Sequence, residues 1–179
     1  MNLPNKLTVL RMLLVPVFVI CFYIVSSPYT YIVAAGVYVL AYLTDILDGH
    51  IARKHNLVTS FGKLMDPMAD KLLTCSAFIM LSSSALVSPI AVIVIVAREL
   101  FISGFRLVAV ESGNVIAASW LGKIKTISQC VAVVAALVWP YLWWPHFPLD
   151  EIIVWISVGF TLWSGIDYVV KNWGSIKFS

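Results

Sequence analysis

Six apolar runs, each long enough to cross a bilayer as a helix, follow one another with only short polar breaks between them. They cover residues 7–25, 29–52, 61–82, 89–110, 118–140 and 151–170. A spanning helix needs about 20 mostly apolar residues. Hydrocarbon admits only helices and closed barrels, because no water is present to satisfy backbone polar groups. The breaks carry helix-stopping chemistry: Ser26-Ser27-Pro28, Lys54-His55-Asn56, Ser82-Ser83-Ser84, Gly113-Asn114, and the stretch holding Pro145 and Pro148. Composition points the same way, with 61% of the 179 residues hydrophobic and only 12% charged, where a soluble domain has about a quarter charged. The sequence therefore predicts an all-α integral membrane protein with six transmembrane helices, forming one membrane domain over residues 1–179. The first run is read as a retained helix, because no small-residue cleavage site precedes Ser26 and further spans follow.

Charge sets the expected orientation. One set of helix ends holds the N-terminus, the 53–60 loop, the 106–125 region and the C-terminus, and all 12 Lys and Arg fall on or near it. The opposite ends carry only His146, Asp150 and Glu151. By the positive-inside rule both termini are cytoplasmic, in a multi-pass protein of the cell membrane. Trp139, Tyr141, Trp143 and Trp144 are read as an aromatic belt at the outer interface. The net charge of +3 is modest and no basic tail exists, so nothing calls for nucleic acid. Cys21, Cys75 and Cys130 are far apart in apolar stretches, which is no disulfide or zinc framework.

Against this background the stretch 44–71, TDILDGHIARKHNLVTSFGKLMDPMADK, stands out. It holds Asp45, Asp48, Asp66 and Asp70, four of the nine acidic residues. Asp45 and Asp48 are three apart on the second helix, and Asp66 and Asp70 four apart on the third, so each pair shares a helix face. All four sit near the cytoplasmic ends, away from the midplane where transporter sites lie. If the two helices form a hairpin, four carboxylates converge, and they must protonate or bind cations. Oxygen-only ligands favour hard ions, Mg²⁺ or Mn²⁺, and two such ions form the usual clamp for displacement at phosphorus. The neighbours suit a phosphate-bearing substrate: Gly49 permits close approach, Ala52 is small, and Arg53 offers a planar fork to phosphate oxygens. Gly62 lies one turn before Asp66, and Pro67 can kink the third helix.

Written as a pattern, the stretch is D-x2-D-G-x2-A-R-x8-G-x3-D-x3-D, with no position missing. This resembles the signature of the CDP-alcohol phosphotransferase family, integral membrane enzymes of phospholipid synthesis. The resemblance implies that Asp45, Asp48 and Asp66 hold two divalent cations. Asp70 would be the catalytic general base and share the second metal. Gly49, Ala52, Arg53, Thr59 and Gly62 would border CDP-diacylglycerol. The opening "NLPNKLTVLR" also resembles family members, which would bring Asn5, Thr8 and Arg11 to the same nucleotide. Over residues 97–129 the chain is similar to the branch whose acceptor is sn-glycerol 3-phosphate, through Arg98, Glu99, Ser103, Arg106, Ser119, Gly122, Lys123, Lys125, Thr126 and Gln129.

An acceptor that is itself a phosphate needs cations away from the metals, and Arg106, Lys123 and Lys125 at the cytoplasmic helix ends are the candidates. The implied reaction gives phosphatidylglycerophosphate and CMP at the cytoplasmic face. A homodimer in the bilayer follows from the resemblance alone. Alternatives are inositol phosphate or serine as acceptor, or a divalent-cation transporter using the acidic cluster. Arg98 and Glu99 lie deeper and are expected to pair with each other or with neighbouring helices. Asp167 is expected to pair with Lys171, four residues on. His50 and His55 are read as interfacial, not as metal ligands.

Overall fold

A computed structural model describes residues 3–25, 29–54, 60–111, 119–142 and 148–175; the side chains of 3–4, 48–54, 60–61, 63–64 and 175 lie outside that description. Six α-helices follow in order: α1 (Leu3–Ile24), α2 (Thr30–Lys54), α3 (Ser60–Ser83), α4 (Pro89–Glu111), α5 (Trp120–Val138) and α6 (Leu149–Asn172). Single 3₁₀ turns, Trp139–Tyr141 and Trp173–Ser175, extend α5 and α6. The apolar runs thus become helices, with boundaries within a few residues of those expected. Both α1 and α3 continue through an internal proline, Pro16 and Pro67.

Four helical stretches, Asn5–Ile24, Thr30–Leu47, Trp120–Tyr141 and Leu149–Asn172, are long and apolar enough to cross a membrane. Helices α3 and α4 are of similar length, 24 and 23 residues. Their charges lie further inside the helix, with Asp66, Asp70 and Lys71 on α3 and Arg98, Glu99 and Arg106 on α4.

Polar side chains are buried beside apolar ones, while many large apolar ones stand outside. Arg11, Gln129, Thr161 and Ser157 are buried, while Leu13, Ile93, Trp163 and Val170 stand exposed. An apolar exterior with polar and charged side chains turned inward is the arrangement a hydrocarbon solvent selects. The apolar core, built on Phe18, Tyr38, Phe78, Leu81, Ile95, Val133 and Leu137, lies toward the ends away from the aspartates. An aromatic ladder of Phe18, Phe22, Tyr31 and Tyr141 runs through that half, with neighbouring centroids 5.3–6.2 Å apart. Trp139 and Tyr141 sit in the 3₁₀ turn at this end; Trp143 and Trp144 are outside the described residues.

Packing joins the helices into two groups with a shared seam. Helix α1 lies on α2 and α3; α6 lies on α4 and α5; α2 and α3 meet α5, and α3 meets α4. The α3–α4 turn closes as a Schellman motif: Leu86 N–H donates to the Leu81 carbonyl at 2.9 Å and Ala85 N–H to the Ser82 carbonyl at 3.0 Å. Ala85 occupies the left-handed position, φ 57°, where glycine is usual. Helix α5 starts at Ser119, whose Oγ accepts from Gly122 N–H at 3.0 Å. A Cβ on Gly122 would lie 3.3 Å from that oxygen, so glycine keeps the cap undisturbed.

Candidate active site

The first helix brings donors to the carboxylates. Thr8 and Arg11 are three apart and share a face of α1, and both are buried, at 1% and 0% exposure. The Thr8 hydroxyl donates to Asp66 Oδ1 on α3 at 2.5 Å. The Arg11 guanidinium pairs with Asp45 Oδ1 on α2 at 2.5 Å. One face of α1 therefore ties the two acidic helices to each other. The sequence resemblance implies that Thr8 and Arg11 reach a nucleotide; the structure pairs them with Asp66 and Asp45. Asn5, one turn before Thr8, has its own polar contacts, as does Gly62. Gly62 is buried.

Asp45 keeps a partly exposed side chain. Asp70 is half-buried, one turn after Asp66, and lies within electrostatic reach of Asp45, Lys125, Glu99 and Arg11. The backbone of residues 48–54 continues α2, but the side chains of Asp48, Gly49, Ala52 and Arg53, and all of Thr59, lie outside the described residues. So do the side chains of His50 and His55. Among the described residues no three acidic, histidine or cysteine side chains gather closely enough to hold a metal ion. The donor chemistry does fit one: carboxylate oxygens on two helices riveted together by α1, with Asp45 still open to its surroundings.

A cavity of about 750 Å³ that Asp70 also borders opens between α2, α3, α4, α5 and α6. Asp70 and Lys71 form one wall; Arg98, Glu99 and Arg106 come from α4, and Lys123 and Lys125 from α5. The three basic residues expected to meet the acceptor thus border one space with Asp70. They differ in their surroundings. Lys125 is buried and its Nζ donates to Glu99 Oε1 at 2.5 Å. Lys123 is exposed and lies over the Trp120 ring, 5.5 Å from its centroid. Arg106 lies over the Tyr168 ring at 5.6 Å, with Nε 3.4 Å from the hydroxyl.

Arg98 and Glu99 do pair, at 3.3 Å, and each also reaches another helix: Glu99 to Lys125, and Arg98 to Ser164 Oγ on α6 at 2.9 Å. Deeper along α5, Gln129 donates to Thr161 on α6 at 2.9 Å. Asp167 pairs with Lys171 at 2.7 Å, at the end of α6 and apart from the cavity lining. Tyr168, like Tyr42, is a cavity residue that sequence reasoning missed. It is 3% exposed, with Phe105 against it edge-on at 5.9 Å. Its position on an apolar helix resembles an ordinary core aromatic, and only its spacing one residue past Asp167 marks the polar end of α6.

Comparison with known proteins adds independent findings. A family model described as CDP-alcohol phosphatidyltransferase matches residues 1–163. A Bacillus subtilis protein named CDP-diacylglycerol–glycerol-3-phosphate 3-phosphatidyltransferase is 42% identical over 191 residues, covering 99% of this chain and 98% of the relative. Proteins of the same name from Rickettsia bellii and Haemophilus influenzae are 42% and 36% identical, over 93% and 98% of this chain and 93% and 95% of their own lengths.

Proposed function

The chain belongs to the CDP-alcohol phosphatidyltransferase family, and from that premise we propose that it moves the phosphatidyl group of CDP-diacylglycerol to the 1-hydroxyl of sn-glycerol 3-phosphate. The products are phosphatidylglycerophosphate and CMP. The acceptor assignment is supported by the names of relatives that match nearly the full chain. The observation that carries the chemistry is the double aspect of Asp70. It lies within electrostatic reach of Asp45 and also borders the cavity with Arg106, Lys123 and Lys125.

In this reading CDP-diacylglycerol lies with its diphosphate at Asp45, Asp48 and Asp66 and its acyl chains in lipid. Asn5, Thr8, Arg11, Gly49, Ala52, Arg53, Thr59 and Gly62 surround the nucleotide end. Glycerol 3-phosphate occupies the cavity, its phosphate toward the basic residues and its 1-hydroxyl toward Asp70. Asp70 accepts the hydroxyl proton. The freed oxygen bonds to the phosphorus that carries diacylglycerol, and the bond from that phosphorus to CMP breaks. No enzyme-linked intermediate is required. Asp45, Asp48, Asp66 and Asp70 would hold two divalent cations, Mg²⁺ or Mn²⁺, which when bound neutralise charge on the diphosphate.

The same reading sets all six helices across the cell membrane as one domain, with both termini and the site at the cytoplasmic face. Charge concentrated on α3 and α4 is compatible with spanning because it turns inward: Glu99 is 5% exposed, whereas Ile93 on the same helix is 66% exposed.

The test is CMP release by the purified protein in mixed micelles with CDP-diacylglycerol, with and without Mg²⁺, and with glycerol 3-phosphate, inositol phosphate, serine or no acceptor. Release that requires both the metal and glycerol 3-phosphate is expected. Release with another acceptor alone would keep the aspartate chemistry and overturn the acceptor. No release from folded protein would overturn the transferase reading.

A further inference from the structure

The buried charges between α4, α5 and α6 form a small circuit centred on one atom. Glu99 Oε1 accepts from Lys125 Nζ at 2.5 Å and faces Arg98 Nη1 at 3.3 Å. Glu99 and Lys125 are each 5% exposed. Arg98 reaches on to Ser164 of α6, and its aliphatic stem lies against the backbone of Gly165. A Cβ on Gly165 would stand 3.2 Å from Arg98 Cγ, so the absence of a side chain there is what lets Arg98 lie where it does. All three charged residues border the cavity that holds Asp70.

A carboxylate in an anion site is at first sight misplaced, since it repels the phosphate the cations are there to meet. Its geometry resolves the difficulty. Two cations share one carboxylate, so the group as a whole keeps a charge of +1 (two positive, one negative). Lysine is a point charge on a flexible stem, and a buried ammonium with no counterion would lose its charge or leave its place. Glu99 fixes two long side chains that come from different helices and differ in rotamer freedom.

We propose that Glu99 is a positioning residue for the acceptor: its carboxylate sets Lys125 and Arg98 at the cavity wall, so that the phosphate of the acceptor meets pre-placed donors. This rests on the reading of the cavity as the glycerol 3-phosphate site. It assigns Glu99 an action through Lys125 and Arg98, without contact to the substrate.

The experiment is a double-mutant cycle on the full chain in mixed micelles, using Glu99→Gln, Lys125→Met and the pair together. For each, kcat and the KM values for glycerol 3-phosphate and CDP-diacylglycerol are measured. Glu99→Gln is expected to raise KM for glycerol 3-phosphate about tenfold and to leave the other KM and kcat within about twofold. In the Lys125→Met background the same change should add no more than about threefold, because only the part that passes through Arg98 remains. Additive effects, or an equal rise in both KM values, would overturn the proposal.

Gly165→Ala removes no charge and displaces Arg98 by a few tenths of an ångström, so it decides the matter where Glu99→Gln does not fold. A rise of about threefold in KM for glycerol 3-phosphate alone supports the proposal; an unchanged value overturns it. Absence of wild-type turnover with glycerol 3-phosphate overturns the acceptor reading and this proposal with it. An active wild type with additive variants overturns this proposal alone.

Discussion

The two sides of Asp70 are built by opposite means. On the α1–α3 side the carboxylates are clamped from one helix: Thr8 to Asp66 and Arg11 to Asp45, three residues apart on α1. On the α4–α6 side the charges come from α4 and α5 and are steadied between helices, Lys125 and Arg98 through Glu99 and Arg106 through Tyr168 of α6. In the proposed reading the first arrangement suits a fixed diphosphate held in line with Asp70 as the base. The second suits a small, soluble acceptor that must enter and leave. A negative cluster and a positive cluster thus share one bundle, with Asp70 at their boundary.

The contrast can be broken by substitution. The largest effect is expected at the boundary itself. Asp70→Asn should lower kcat about 10²–10⁴-fold, the range for losing a general base, while binding of CDP-diacylglycerol persists. Equilibrium binding of the CDP-lipid alongside CMP release checks this, and full turnover would remove Asp70 from its role. Arg106→Ala comes next. Loss of a charge-assisted contact is worth about 1.5–3 kcal/mol, which is about a 10- to 150-fold rise in KM for glycerol 3-phosphate. An equal change for CDP-diacylglycerol would show that the two sides are not separate.

Thr8→Val acts on the other side. It removes the donor to Asp66 while keeping the shape, and should cost severalfold in kcat/KM for the CDP-lipid. The divalent-cation concentration giving half-maximal rate should move with it. An unchanged metal dependence would detach α1 from the carboxylates.

The smallest effect belongs to a region apart from both sides. Ala85→Gly relieves the left-handed turn between α3 and α4 and should raise stability by up to about 1 kcal/mol. Thermal unfolding in detergent measures this, with kinetic constants unaltered.

The sequence was most legible where chemistry is local. Asp45, Asp48, Asp66 and Asp70 announce themselves because three- and four-residue spacings map directly onto helix faces. Asp167 with Lys171, and Arg98 with Glu99, were readable for the same reason of proximity. The helix count follows from the apolar runs. What stayed hidden depends on contacts across many residues. Nothing in α6 taken alone says that Gly165 makes room for Arg98, or that Tyr168 lies under Arg106, 62 residues away in sequence. The link from Glu99 to Lys125 also spans two helices. Nor does α1 taken alone say that Thr8 meets Asp66, 58 residues away in sequence.

The pairing of Arg11 with Asp45 bears on how such a chain enters a bilayer. An arginine within a hydrophobic helix opposes insertion, by about 2.5–3.5 kcal/mol at the helix centre on translocon scales. Here its counterion is carried by the very next helix, and the two helices pack closely. The first hairpin brings its own neutralising partner with it, so the charge that later serves the site need not be stranded during biogenesis. Thr8 and Asp66 meet only when the third helix arrives, which makes completion of the site a late event in membrane integration.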